Sequence, residues 1–254
     1  MLSIRPLRAA ARVTTALIVL AAPLQAARAQ ALPSAASLLQ KHDAAVGGRA
    51  AMDKHTSMHE SAAATIAVAH MSGTIETFHA KPNLFLQKTI LPQGEVDSGF
   101  DGKTAWGSAG AMGAQILDSA ATASVRDQAN FFSEYYDPSR IKSAETVELT
   151  DFEGQRCYKV KIVHKDDSET MVYLDSATGL RAGQSLMQKM NGQEVPITLV
   201  MSDYKDFGGV KLPMKRVQKL PGADIVLDVQ SVEFDKVDPS TFALPDAVKA
   251  LIKP

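Results

Sequence analysis

Cysteine is almost absent. Cys157 is the only one in 254 residues, so no internal disulfide framework can form and the core alone must hold the fold. Neither sign of charge is in excess. The 27 Lys and Arg against 28 Asp and Glu leave a net charge of −1, and without a basic footprint nucleic acid is not an expected partner. Aromatic residues are scarce at 6%, with Trp106 the single tryptophan. Long hydrophobic runs are missing too. The most apolar stretch, Val13 to Ala22, is broken by Thr14 and Thr15 and is about half the roughly twenty residues a membrane-spanning helix needs.

Catalytic motifs are also lacking. No Gly-x-Ser-x-Gly elbow and no phosphate-binding loop occur. Cys157 lies beside Tyr158 in a strand-like run without a histidine partner, which suits a buried structural thiol. His55 and His59 are four apart, but Thr56 stands where a helical zinc-protease motif needs glutamate. Two ligands are also fewer than a zinc site uses. His70 and His79 flank an expected hairpin at Met71-Ser72-Gly73 and would approach each other across it. A metal-dependent enzyme built on these four histidines is the weakest of the functional readings. Asp166, Asp167 and Glu169 suit a solvated loop better than a calcium site. The chain reads as a non-enzyme with neither cofactor nor metal.

What is present begins with an export signal. Arg5, Arg8 and Arg12 precede the short apolar run, Pro23 ends it, and Ala27-Arg28-Ala29 is a small-x-small cleavage site. Residues 1–29 are therefore expected to be a secretory signal peptide cut between Ala29 and Gln30, which leaves a periplasmic or secreted protein. Because no cysteine follows the run, no lipid attachment at a new amino terminus is expected. Composition is even after Gln30, so residues 30–254 read as a single domain.

That domain is mainly β. A first helix starts at Pro33-Ser34 and stops at Gly47-Gly48. A second spans about 116–131, where Leu117, Ala121, Val125, Ala129 and Phe132 form a stripe. Elsewhere short alternating runs are separated by turns. Asn191-Gly192 is the strongest hairpin signal, with Asp101-Gly102 and Glu153-Gly154 behind it. Between Ala223 and Phe234 the apolar positions change register, and a bulge near Gln230-Ser231 reconciles them. Asp238-Pro239-Ser240 starts one helical turn, after which Phe242 and Leu244 are expected to plug an end of the sheet. The count is about ten or eleven strands in an antiparallel meander that curls.

The remaining signal is apolar. Phe131, Phe132, Tyr135 and Tyr136 cluster after the second helix, and Leu84 to Leu91 is apolar on both faces. Methionines such as Met187, Met201 and Met214 concentrate in the later strands, where a flexible thioether suits an adaptable lining for acyl chains. A curled sheet under a striped helix encloses more space than short side chains fill. The expected lining of cavity and lid is Phe85, Trp106, Leu117, Val125, Phe131, Phe132, Tyr135, Tyr158, Met187, Met201, Met214 and Leu227. The alternative is a non-enzymatic cell-envelope scaffold or interaction domain with a fully packed sheet.

Several stretches together resemble one family. Residues 37–48 (SLLQKHDAAVGG), 99–106 (GFDGKTAW), 173–180 (YLDSATGL), 203–213 (DYKDFGGVKLP) and 238–242 (DPSTF) are similar, in order and spacing, to exported proteins of the lipoprotein-carrier (LolA/LolB-like) superfamily. The resemblance implies a strongly curved antiparallel sheet, a half-open barrel with helices across its mouth as a lid. It further implies that the apolar space between them holds acyl chains in transit through the periplasm. The partners that follow are a lipid or an acylated protein, with transient contact with envelope membranes. The chain itself is expected to work as a monomer.

Overall fold

The computed structural model describes residues 31–133, 135–190 and 193–252. The expected leader, residues 1–29, and the Asn191-Gly192 turn lie outside them. Helix α1 (Ala35–Ala45) is capped by Ser34, whose hydroxyl accepts from the Ser37 amide at 3.2 Å. A short helix, α2 (Arg49–Met52), follows. Strands β1 (Ser57–Ile66), β2 (Met71–Ala80), β3 (Leu84–Leu91), β4 (Gly94–Phe100), β5 (Ala105–Ala109) and β6 (Ala114–Ile116) then lead to helix α3 (Ser119–Gln128). The second run is β7 (Ile141–Phe152), β8 (Gln155–His164), β9 (Glu169–Asp175), β10 (Arg181–Met190), β11 (Gln193–Phe207), β12 (Val210–Leu220) and β13 (Ala223–Phe234). A 3-10 turn at Pro239–Phe242 and helix α4 (Asp246–Lys249) close the chain.

All thirteen strands form one antiparallel sheet, ordered β6-β5-β4-β3-β2-β1-β13-β12-β11-β10-β9-β8-β7. Two meanders are thus joined at a central seam, where β1 pairs with β13. Strands β6 and β7 remain as open edges, and the α3 segment carries the chain from one to the other. The sheet is a half-barrel that does not close. It exceeds the strand number read from turn signals because pieces such as β6, three residues long, are too short to alternate visibly.

Several turns fall where the residues place them. Glu153-Gly154 joins β7 to β8 with φ of 52° and 79° at the two positions, the left-handed pair that suits a tight hairpin. On β13 the bulge is at Gln230, since Ser61 faces Ser231 while Ala62 faces Val229. The turn between β1 and β2 is instead at Ala67–His70, because Met71 to Gly73 already pair with Ile66 to Ala64. Strands β10 and β11 pair with Met190 opposite Gln193.

Helices α1, α2 and α3 lie on one face of the sheet. From α1, Ala35, Leu38 and Leu39 pack on Val160, Ile162, Val172 and Leu174 of β8 and β9. At the other wing, Val125 and Ala129 pack on Phe85, Phe100 and Ala105. Between the wings, Val46, Met52, Phe131 and Tyr135 cover Val210 and Leu212 of β12. Alternation puts Leu86 on the face opposite Phe85, and there Leu86 and Trp106 pack on Phe242 and Val248 of the C-terminal segment. This explains the two-faced apolar pattern of 84–91. It also corrects the expected role of Phe242 and Leu244, which cover the outer face of the sheet and do not plug its end.

Three of the stretches similar to the carrier superfamily, 37–48, 173–180 and 203–213, meet in space. Lys41 donates to the carbonyls of Ser176 and Ala177 at 2.8 and 3.0 Å, and the buried His42 ring contacts the Gly179 carbonyl at 3.2 Å. The Lys211 amide donates to Val46 at 3.0 Å. Gly47 sits at φ 109°, and a Cβ there would lie 1.8 Å from the Gly209 carbonyl oxygen. Gly47→Ala must therefore both strain the backbone and separate α1 from the β11–β12 turn. Chemical denaturation should show a loss of at least about 2 kcal/mol; a loss under about half of that would mean the contact is dispensable.

Candidate functional site

Between the helix-covered wings the sheet and helices border a half-open cavity of about 480 Å³. Its floor is the inner face of β1 to β3 and β10 to β13, and its rim is formed by Gln128, Phe131 and Ser133 after and at the end of α3. Of the expected lining residues, Phe85, Phe131, Met201 and Leu227 are brought together here. Met52, Met58, Ile75, Leu199 and Leu212 join them.

The other expected residues lie elsewhere. Leu117 and Val125 belong to the packing of α3 on β3 to β5. Phe132 and Tyr135 are part of the central cover, with the Arg49 guanidinium 4.8 Å and the Lys81 ammonium 5.2 Å from the Phe132 ring. Tyr158 packs beside α1. Met214 lies behind the cavity wall, packed on the lining residue Ala62 and on Val229. Trp106 is on the outer face, and Met187 is 55% exposed.

Nearly half of the cavity wall is polar, which the methionine and aromatic clusters did not foreshadow. Glu60 on β1 is buried and ion-paired with Arg216 of β12 across β13. Beside them His79 of β2 turns its remaining surface into the cavity, with Phe85 at 5.2 Å between ring centroids. Arg181 is buried at the β10 side, and Gln87, Gln184 and Gln218 complete the polar wall. Once Met201 is known to face inward, its pairing opposite Arg216 puts that side chain on the floor. The sequence offers the alternation but not the register.

The histidines serve separate purposes. His55 contacts Asp235 at 2.7 Å and stacks on Phe234, and His59 contacts Glu76 at 2.5 Å and stacks on Phe78. Nine steps along the strand, about 30 Å, separate His79 from His70, which occupies the β1–β2 turn at φ 49°. The expected approach of His70 to His79 does not occur. No group of three or more His, Cys, Asp or Glu among the described residues could hold a metal. Cys157 is buried, and burial followed by the charges of Asp175 and Asp151 pushes its thiol up to about 11, which suppresses thiolate chemistry.

This geometry can be set beside known proteins. No family model matches the sequence, and no curated protein matches it. Among solved structures, a LolA superfamily protein from Nitrosomonas europaea aligns over 84% of this chain and 99% of its own, at 11% identity and a TM-score of 0.56. A putative outer membrane lipoprotein-sorting protein domain from Vibrio parahaemolyticus aligns over 82% and 95%, at 12% identity and 0.54. The fold is LolA-like. A DUF1329 family protein from Desulfovibrio piger shares it, over 81% and 94% of the two chains, at 13% identity and 0.56.

Burial, then the Arg216 charge, lowers the His79 imidazole to about 4 from 6.5. The unfolded chain therefore binds the extra proton between those values, and the native state loses stability as pH falls from about 6.5 to about 4. The loss is on the order of 3 kcal/mol. Asp97, pushed up to about 6 by burial and then by Glu95, contributes with the opposite sign in this window. The comparison is thus between wild type and His79→Leu. Denaturation at pH 7 and pH 4.5 should show a smaller acid-induced loss in the variant; equal losses would mean that His79 protonates freely in the fold.

Proposed function

We propose that this protein is an extracytoplasmic carrier or binding protein that shields an acyl chain, of a lipid or of a lipidated protein, between sheet and helices. The observation that carries this reading is the cavity of about 480 Å³ between the two helix-covered wings. That volume falls within the roughly 300–1,000 Å³ of small-ligand sites. Met201, Leu199, Leu227, Phe85 and Ile75 supply an apolar lining. Each methylene removed from water contributes about 0.8 kcal/mol, so a chain held against part of that lining is protected yet releasable. The leader expected at residues 1–29 and the fold shared with a putative lipoprotein-sorting domain support work in the cell envelope. A catalytic role is not part of the proposal.

A second reading, an envelope interaction domain, draws support from exposed apolar side chains at hairpin ends, notably Val68 at 66% and Met112 at 87% exposure. The cavity separates the two. Wild type should take up a pyrene-labelled acyl ester. Leu227→Trp, which fills the cavity from β13, should lower that affinity by at least about fivefold with the circular dichroism spectrum unchanged. Uptake equal in the two proteins, or absent from wild type, would remove the carrier reading and leave the interaction domain.

A further inference from the structure

We infer that Glu60, His79 and Arg216 form a head-group site in the cavity floor for a neutral acceptor oxygen, the carbonyl of an acyl ester or amide. The inference rests on the carrier reading and narrows its cargo to a neutral amphiphile, distinct from a free fatty acid or a plain hydrocarbon.

Two atoms in the floor carry the argument. Arg216 Nε and His79 Nδ1 are both buried and have no hydrogen-bond partner. Buried polar atoms of native proteins are nearly always satisfied, and leaving one unpaired is costly. Both belong to residues that line the same cavity. An arginine nitrogen can only donate. A neutral imidazole can carry its proton on Nδ1 and donate as well. Burial keeps the His79 ring neutral at ordinary pH. The matching ligand group is therefore an acceptor.

Charge decides which acceptor. The Arg216 guanidinium is already engaged by the Glu60 carboxylate, and Glu60 is 7% exposed. A ligand carboxylate or phosphate would have to share that guanidinium with Glu60, and two anions beside one cation in a low-dielectric site repel each other. A carbonyl oxygen can accept from the part of the Arg216 guanidinium edge left exposed (23% of its side chain) while the ion pair stays intact. Beyond this patch the lining turns apolar through Met201, Leu199 and Ile75. One end of the cavity thus suits a carbonyl and the remainder suits a hydrocarbon tail.

Displacement of the neutral fluorophore phenylnaphthylamine by methyl decanoate, sodium decanoate and undecane tests this. In wild type the ester should bind about tenfold more tightly than the hydrocarbon, and also more tightly than the anion. His79→Leu should weaken the ester by at least about fivefold and change the hydrocarbon by less than about twofold. Removing Arg216 alone would strand Glu60, so the companion variant is Glu60→Met with Arg216→Met, which should bring the ester to the hydrocarbon level. Ester and hydrocarbon binding alike in wild type, or decanoate binding best, would overturn the head-group site while leaving the carrier intact. Failure of the fluorophore and all three ligands to bind would overturn both.

Discussion

The pairing of β1 with β13 is the constraint on which the molecule depends. It joins two meanders that otherwise share no strand, and it places the start and end of the sheet side by side at its centre. With the seam formed, both wings present the same face to α1 and α3, and the space between them becomes a cavity. The bulge at Gln230 keeps the apolar sets of β13 aligned on both sides of the register change. It also lets Glu60 and Arg216 meet across that strand. Shifting the seam by one residue would turn every inner side chain of β1 outward.

The cavity so formed is a compromise between packing and solvation. A sheet this broad cannot be filled by two short helices, and the unfilled part is lined by eleven apolar and ten polar residues, with apolar surface predominating. The polar part is the less stable arrangement in isolation, because a buried ion pair recovers its desolvation only with good geometry and satisfied neighbours. The outer face carries a smaller share of the same burden. There Lys88 and Asp97 lie beside Leu86 and Trp106, and Asp97 Oδ1 is buried without a partner. Both faces of the same strands therefore combine apolar packing with buried polar atoms.

Much of the fold was legible in the sequence. The caps at Ser34 and Gly47, the turn at Glu153-Gly154 and the bulge at Gln230 are set by local chemistry, and local chemistry can be read from residues. The site was legible only in part, because it is a matter of register. Phe85, Phe131, Met201 and Leu227 stand out in the sequence as apolar residues, but so does Trp106, and only strand pairing separates the inner set from the outer. Arg216 sits in a stretch of alternating lysines and apolar residues that resembles an ordinary wet face. Its partner Glu60 is 156 residues away, a separation across which no periodicity carries information.

Native mass spectrometry of the protein purified from its host without detergent tests the central claim most directly. The account predicts a population carrying one acyl-bearing molecule, lost when Leu227→Trp occupies the cavity. Spectra of the bare chain alone, from fresh preparations that still bind no added acyl ester, would contradict it.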